Sequence, residues 1–172
     1  MADRLHTDSA KFHQRWDSGP SAMGSESDIA DTLLAIAHRH GLNGYILINV
    51  PSEAPTNFSS HVLMTSWPKD MLQAYDNAGL IFGSPVIEHL RQSTTPFSYD
   101  AERTNRRRAD GKSEIAMRLF EGHGLPRGAY FPAHNSAGLR GALAFGGTRE
   151  ALRPDEMAEL NAIANLVFTQ VL

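Results

Sequence analysis

Trp67, Met71 and Tyr75 recur at i, i+4 and i+8, a spacing that puts all three on one face of a helix. Ser84-Pro85 follows, then Pro96-Phe97-Ser98-Tyr99. Large aromatic and Met side chains on one face either make plain core or line a cavity between helix and sheet. Ligand pockets are mostly apolar, with a few polar groups that fix orientation. Tyr75 and Tyr99 carry hydroxyls that need partners when buried, and a bound ligand is one such partner. Ser84 also has a simpler role, because Ser before Pro is a good helix N-cap with Pro at the first helical position.

Little else in the chain is arranged for chemistry. There is no G-x-S-x-G, no phosphate-cradling Gly loop and no H-E-x-x-H. His38 and His40 stand two residues apart, so on a helix they diverge by about 200° and make a poor metal pair. His6, His13, His61, His89, His123 and His134 are scattered without ligand spacing. The carboxylates fall mostly on helix surfaces, and no two pair as acid and base. The absence of cysteine removes thiolate metal sites, disulfide scaffolds and cysteine nucleophiles. No enzyme, metal or cofactor is expected. Arg103, Arg106, Arg107, Arg108 and Lys112 form the one dense basic patch. It reads as a solvated loop, with an anionic partner or a neighbouring domain as the alternative.

The chain of 172 residues suits one domain. A formal charge of −3 argues against the whole domain being a nucleic-acid binder. No run of about 18 apolar residues is present, so no membrane span is expected. The first 17 residues are polar and lack the apolar stretch of a signal peptide. A soluble, cytoplasmic protein is expected.

Residues 1–24 read as an N-terminal arm, broken by Ser18, Gly19, Pro20, Ser21 and Gly24. Phe12 and Trp16 at i, i+4 allow a short docking helix before the break. Residues 25–40 read as an amphipathic helix that Gly41 stops. Strands are expected at 45–50, 61–65 and 96–99. Helices are expected from Pro68 to about Gly79, from Ser84-Pro85 onward, and over 113–121. Residues 51–60 and 103–112 read as loops. Residues 128–133 and 139–146 form a hairpin turned by 134–138. A last helix starts at Pro154 and buries Leu160, Ile163, Ala164, Val167, Phe168 and Val171. Hairpins and short connections imply an α/β fold, an α-β-α sandwich with a central antiparallel sheet of about five strands.

From Trp67 onward the sequence resembles the autoinducer-binding domain of LuxR-type quorum-sensing receptors. The family pattern is Tyr-Pro-x-x-Trp-x-x-x-Tyr, then Asp-Pro, then Pro-Phe-x-Trp, then Gly-Leu-x-x-Gly before a hairpin with Pro and Gly-Ala-Leu. Here the segments are Trp67-Pro68-Lys69-Asp70-Met71-Leu72-Gln73-Ala74-Tyr75, Ser84-Pro85, Pro96-Phe97-Ser98-Tyr99 and Gly124-Leu125-Pro126-Arg127-Gly128, and the hairpin carries Pro132 and Gly141-Ala142-Leu143. Spacing is kept throughout. The resemblance spans residues 25–172, which makes that stretch the expected sensor domain.

The resemblance implies a small-molecule signal, an acyl-homoserine lactone or a related amphiphile, and a homodimer. Tyr75 keeps the family Tyr that contacts the acyl amide carbonyl. The family Trp that donates to the lactone carbonyl is Met71 here, which cannot donate. The family Asp that accepts the ligand amide N–H is Ser84, and the Trp that packs on the lactone is Tyr99. Tyr130 stands where the family has a small polar residue, and Trp67 where it often has Tyr. Tyr75, Ser84 and Tyr99 are thus the expected polar contacts, and Trp67, Met71, Val86, Leu125 and Tyr130 the walls. A charged hydrogen bond is worth about 1.5–3 kcal/mol, so losing the Asp and the Trp should weaken an ordinary acyl-homoserine lactone by ~10²-fold or more. A retuned pocket is expected, or one plugged by Trp67 and Tyr130. Full receptors continue into a helix-turn-helix domain, so DNA contact is expected only through such a domain, which this chain lacks, as an excised sensor domain or a natural truncation would. The sequence therefore reads as a sensing domain, or alternatively as a ligand-independent dimerisation module or truncated inhibitor of a full regulator.

Overall fold

Helix α1 (Glu26–Arg39) starts where Ser25 can cap it. The Ser25 hydroxyl oxygen accepts from the Asp28 N–H, and the Asp28 carboxylate accepts from the Ser25 N–H, which satisfies donors that a helix start leaves orphaned. Gly41 ends the element at φ +70°, a conformation that favours glycine. The computed structural model describes residues 25–52 and 57–171. The arm expected over residues 1–24, with Phe12 and Trp16, lies outside the described residues.

The chain continues through β1 (Gly44–Asn49), a 3₁₀ turn (Ser59–His61), β2 (Val62–Thr65), α2 (Lys69–Asn77), α3 (Pro85–Gln92), β3 (Phe97–Asp100), α4 (Ala101–Asn105), α5 (Ser113–Gly122), β4 (Arg127–His134), β5 (Arg140–Gly147) and α6 (Pro154–Val171). The sheet order is β2-β1-β5-β4-β3, and every neighbouring pair is antiparallel. The five-stranded sandwich expected from the sequence is the observed fold.

Two expected loops differ. The stretch 51–60 enters the 3₁₀ turn at Ser59, and the Asp76 carboxylate ties it to α2 by accepting from the Phe58 N–H at 2.6 Å. The stretch 103–112 begins inside α4, where Asp100 caps the helix by accepting from the Arg103 N–H at 2.9 Å. Arg103, Arg106 and Arg107 are exposed as a solvated run would be, but Arg108 is buried.

Strand alternation sends side chains into two cores. Tyr45, Leu47, Phe131, Leu143 and Phe145 face α1 and α6, against Leu33, Ile36, Leu160 and Phe168. Ile46, Ile48, Tyr130, Ala142 and Ala144 face α2 to α5. Fully burying each large side chain contributes about 1.5–3 kcal/mol. At Gly128, opposite Gly146 in the β4–β5 pair, an added Cβ would run into the Phe145 carbonyl oxygen, so the close ladder here needs glycine.

The loop before α6 is locked by Glu156. Its carboxylate accepts from both Arg149 Nη atoms at 2.8 and 2.9 Å and from the Arg153 N–H at 3.1 Å. The Arg149 guanidinium holds the carboxyl below its ordinary value. A depressed carboxyl contributes stability above its unfolded value, near 4.3, and loses it as the pH falls through the folded value. Glu156→Gln is therefore expected to lower the unfolding midpoint at pH 7. The gap from the parent should close below about pH 4, which melting curves across pH will check.

Candidate ligand-binding site

The second face of the sheet is shallow at its centre because β5 presents only Ala142 and Ala144 there. Rings from the surrounding elements fill the space above them. Phe120 of α5 is the hub: its ring lies 5.6 Å from Trp67, 6.3 Å from Tyr75 and 5.3 Å from Tyr99, centroid to centroid. Tyr130 from β4 stacks on Phe97 at 5.4 Å and 9° between planes, and meets the Tyr99 edge at 5.8 Å. Such pairs add about 0.5–1.5 kcal/mol each beyond area burial. The cavity left between these rings is about 20 Å³, room for about one water, whereas drug-sized ligands occupy roughly 300–1,000 Å³.

Behind the rings runs a polar chain. Asn105 Nδ2 donates to the Tyr99 hydroxyl at 3.1 Å, and Asn105 Oδ1 accepts from Arg108 Nε at 3.0 Å. Arg108 Nη2 donates to the Leu80 carbonyl at 2.6 Å, which also accepts from the Tyr75 hydroxyl at 3.3 Å. Arg108 Nη1 reaches the Phe82 carbonyl at 3.3 Å and Asp110 Oδ2 at 3.2 Å. The Ser84 oxygen accepts from the Ile87 N–H at 3.3 Å as the cap of α3. Trp67 Nε1 is buried and has no hydrogen-bond partner among the described residues, so this N–H is a donor in want of an acceptor. No Asp or Glu lines the cavity.

Burial pushes the phenol of Tyr99 well above its ordinary value, with the Asn105 hydrogen bond opposing the shift. Tyr130 is pushed up by burial and then by its neighbours Tyr99 and Tyr75. Tyr75 is raised by burial, with Arg108 and Ser84 opposing, and Tyr45 by burial followed by Asp31. These are all 4 tyrosines of the chain. A raised acid is neutral in the folded state, so its stability is present below the unfolded value of about 10 and is lost as the pH rises beyond it. Absorbance at 295 nm is therefore expected to rise above the range of a free phenol, most of it in one step with alkaline unfolding. Gradual titration centred near 10 would contradict the burial.

The structure brings together most of the residues that the sequence singled out. Trp67, Tyr75, Ser84, Val86, Tyr99 and Tyr130 all line the cavity. Leu125 sits beside it, against Trp67 and Tyr130. Met71 is fully buried in the surrounding core and lines neither space. Asn105, Phe58 and Phe120 also line the cavity and were not singled out, and Arg108, read only as part of the basic patch, lines it too. The Ala116–Phe120 spacing on α5 was a signal for Phe120. Nothing local marked Arg108. Among the described residues no group of three or more His, Asp or Glu could hold a metal, and no helix is long and apolar enough to cross a membrane.

A family model described as the autoinducer binding domain matches residues 25–171. Comparison with curated proteins returns no match. Among solved structures, SdiA in complex with octanoyl-rac-glycerol is similar at TM-score 0.68 and 16% identity, over 93% of this chain and 63% of that one. Escherichia coli SdiA in the space group P6522 gives 0.66 and 14%, over 97% and 66%. The N-acylhomoserine lactone dependent LuxR family transcription factor CepR2 from Burkholderia cenocepacia gives 0.62 and 17%, over 87% and 84%. The chain thus spans just under two thirds of the two SdiA chains. These likenesses establish the fold.

Proposed function

The chain belongs to the autoinducer-binding domain family of LuxR-type regulators, and from that premise we propose that it senses a small, uncharged signal rich in hydrogen-bond acceptors. The ligand enters the inner cavity by displacing the Tyr130 ring. The observation that carries this reading is the buried Trp67 Nε1–H without an acceptor. The Tyr75, Tyr99 and Tyr130 hydroxyls stand around the same cavity, so its polar inventory is dominated by donors. An ester, lactone or ketone oxygen would satisfy it.

The same inventory selects against amides. With Ser84 at the lining and no carboxylate beside it, an amide N–H would lose the charged acceptor and find only neutral hydroxyl or amide oxygens. The difference between a charged and a neutral hydrogen bond is about 1 kcal/mol, or roughly 5-fold in affinity. Octanoyl-rac-glycerol, the molecule in the SdiA complex, has an ester where an acyl-homoserine lactone has an amide. It is therefore expected to bind more tightly than N-octanoyl-homoserine lactone. Because the ring must first move, the apparent Kd is the intrinsic Kd divided by the open fraction. The test is the unfolding midpoint against both compounds, aryl lactones and non-lactone signals. A ligand at 100 times its Kd adds about 2.7 kcal/mol, or roughly 5–11 °C at this size. A larger shift with the amide-bearing lactone would overturn the selectivity argument.

A second reading rests on the small volume of the cavity. A core plugged by its own side chains suits a ligand-independent module that pairs with a partner regulator. A folded protein whose midpoint no compound moves would favour it. In either reading the domain is non-catalytic, cytoplasmic and dimeric. It reaches DNA only through a helix-turn-helix domain in the same polypeptide or in a partner.

A further inference from the structure

Strand β3 is an edge strand, paired only with β4. Along it lies a groove of about 490 Å³, bounded by the start of α3, by α4 and by the loop before α6. This volume is in the range of small-molecule sites, unlike the inner cavity. Arg103, Arg107, Arg127 and Arg149 line it, against Asp100 and Glu150. The protein as a whole carries −3, whereas this groove has four arginines against two carboxylates. Arg149 is committed to Glu156, and the Asp100 carboxylate caps α4. Arg103 and Arg107 are exposed, and their guanidinium groups have no partner among the described residues. Arg127 gives Nη2 to the Thr148 carbonyl, while its Nε is buried with no acceptor. Two free guanidiniums on a groove that Arg127 also lines match the planar oxygens of a carboxylate or phosphate. Val86, Phe97 and Leu152 give the same groove an apolar side.

We propose that this groove binds a small organic anion, with its carboxylate or phosphate held by Arg103, Arg107 and Arg127 and its apolar part on Val86, Phe97 and Leu152. The site is separate from the inner cavity, and Val86 and Tyr99 wall both. The proposal does not depend on what fills the inner cavity.

The test is an NMR titration of the full chain with sodium octanoate, octyl phosphate and neutral 1-octanol. The proposal expects amide shifts at Ser98, Thr104 and Ala151 with at least one anion, the tighter of the two naming the headgroup. Affinity should fall at least tenfold in the Arg103→Gln/Arg107→Gln double variant, and several-fold between about 50 and 500 mM NaCl. The double variant should keep the parent's unfolding midpoint, since neither side chain has a structural partner. Absence of shifts at millimolar anion, equal shifts with 1-octanol, or unchanged affinity in the double variant would each overturn the proposal. Shifts confined to Tyr75 and Phe120 would overturn it too and would assign the anion to the inner cavity.

Discussion

Tyr130→Ala is expected to lower the unfolding midpoint by about 6–20 °C and to make the domain respond to small apolar molecules that the parent ignores. Tyr130 is buried between Phe97 and Tyr99 above the alanines of β5. Truncating a buried large aromatic costs about 3–5 kcal/mol, because packing is lost and a void remains. At this chain length each kcal/mol moves the midpoint roughly 2–4 °C. An apolar void of the order of 150 Å³ stays dry and takes up benzene. Benzene or phenol should therefore return several degrees to the variant and none to the parent. The Tyr130 hydroxyl has no hydrogen-bond partner among the described residues, so Tyr130→Phe should stay within about 2 °C of the parent. A Tyr130→Ala protein as stable as the parent would mean that the ring does not fill the cavity.

The second large effect is expected at Arg108. Its side chain is 2% exposed and holds the Leu80 and Phe82 carbonyls and Asn105 in place. Arg108→Leu would leave the Phe82 carbonyl and Asn105 Oδ1 without this donor and the Leu80 carbonyl with only the Tyr75 hydroxyl, at about 1–3 kcal/mol for each acceptor that stays buried and unpaired. A loss of roughly 3–5 kcal/mol is expected in denaturant melts. Arg108→Lys should rescue little, since one ammonium cannot span the fork of directions that the guanidinium covers. Asp110→Asn should cost less than about 1 kcal/mol, because the Asp110 side chain is 25% exposed and screened. Equal losses at Arg108 and Asp110 would show that the ion pair, rather than the carbonyl contacts, carries the stability.

What the sequence made legible was set by local signals. The β4–β5 hairpin could be read because its apolar residues alternate and Gly138 supplies the left-handed turn at φ +81°. Helix α3 could be read from Ser84-Pro85, and the Ser84 cap is present. Helix α4 was missed because its cap, Asp100, is also the last residue of β3, and its basic residues carry no apolar stripe. The burial of Arg108 was not legible at all. It depends on carbonyls 26 and 28 residues away in sequence, and only the fold brings them close. Trp67 and Tyr130 were expected as plugs because each is larger than the residue expected at its position, and both line the small cavity. Met71 was read as a wall from helical spacing and from its place in the family pattern, and neither distinguishes a residue facing the cavity from one packed behind it.

The central claim is that the Trp67 indole N–H waits for an acceptor supplied by the signal molecule. The most direct measurement is the ¹H–¹⁵N spectrum of the indole N–H groups of the 2 tryptophans, with and without octanoyl-rac-glycerol, Trp67 being assigned from Trp67→Phe. The account predicts that the Trp67 signal moves downfield as the ligand saturates, that Trp16 stays still, and that the rise in unfolding midpoint is lost in Trp67→Phe. A ligand that raises the midpoint while the Trp67 signal stays in place would contradict it.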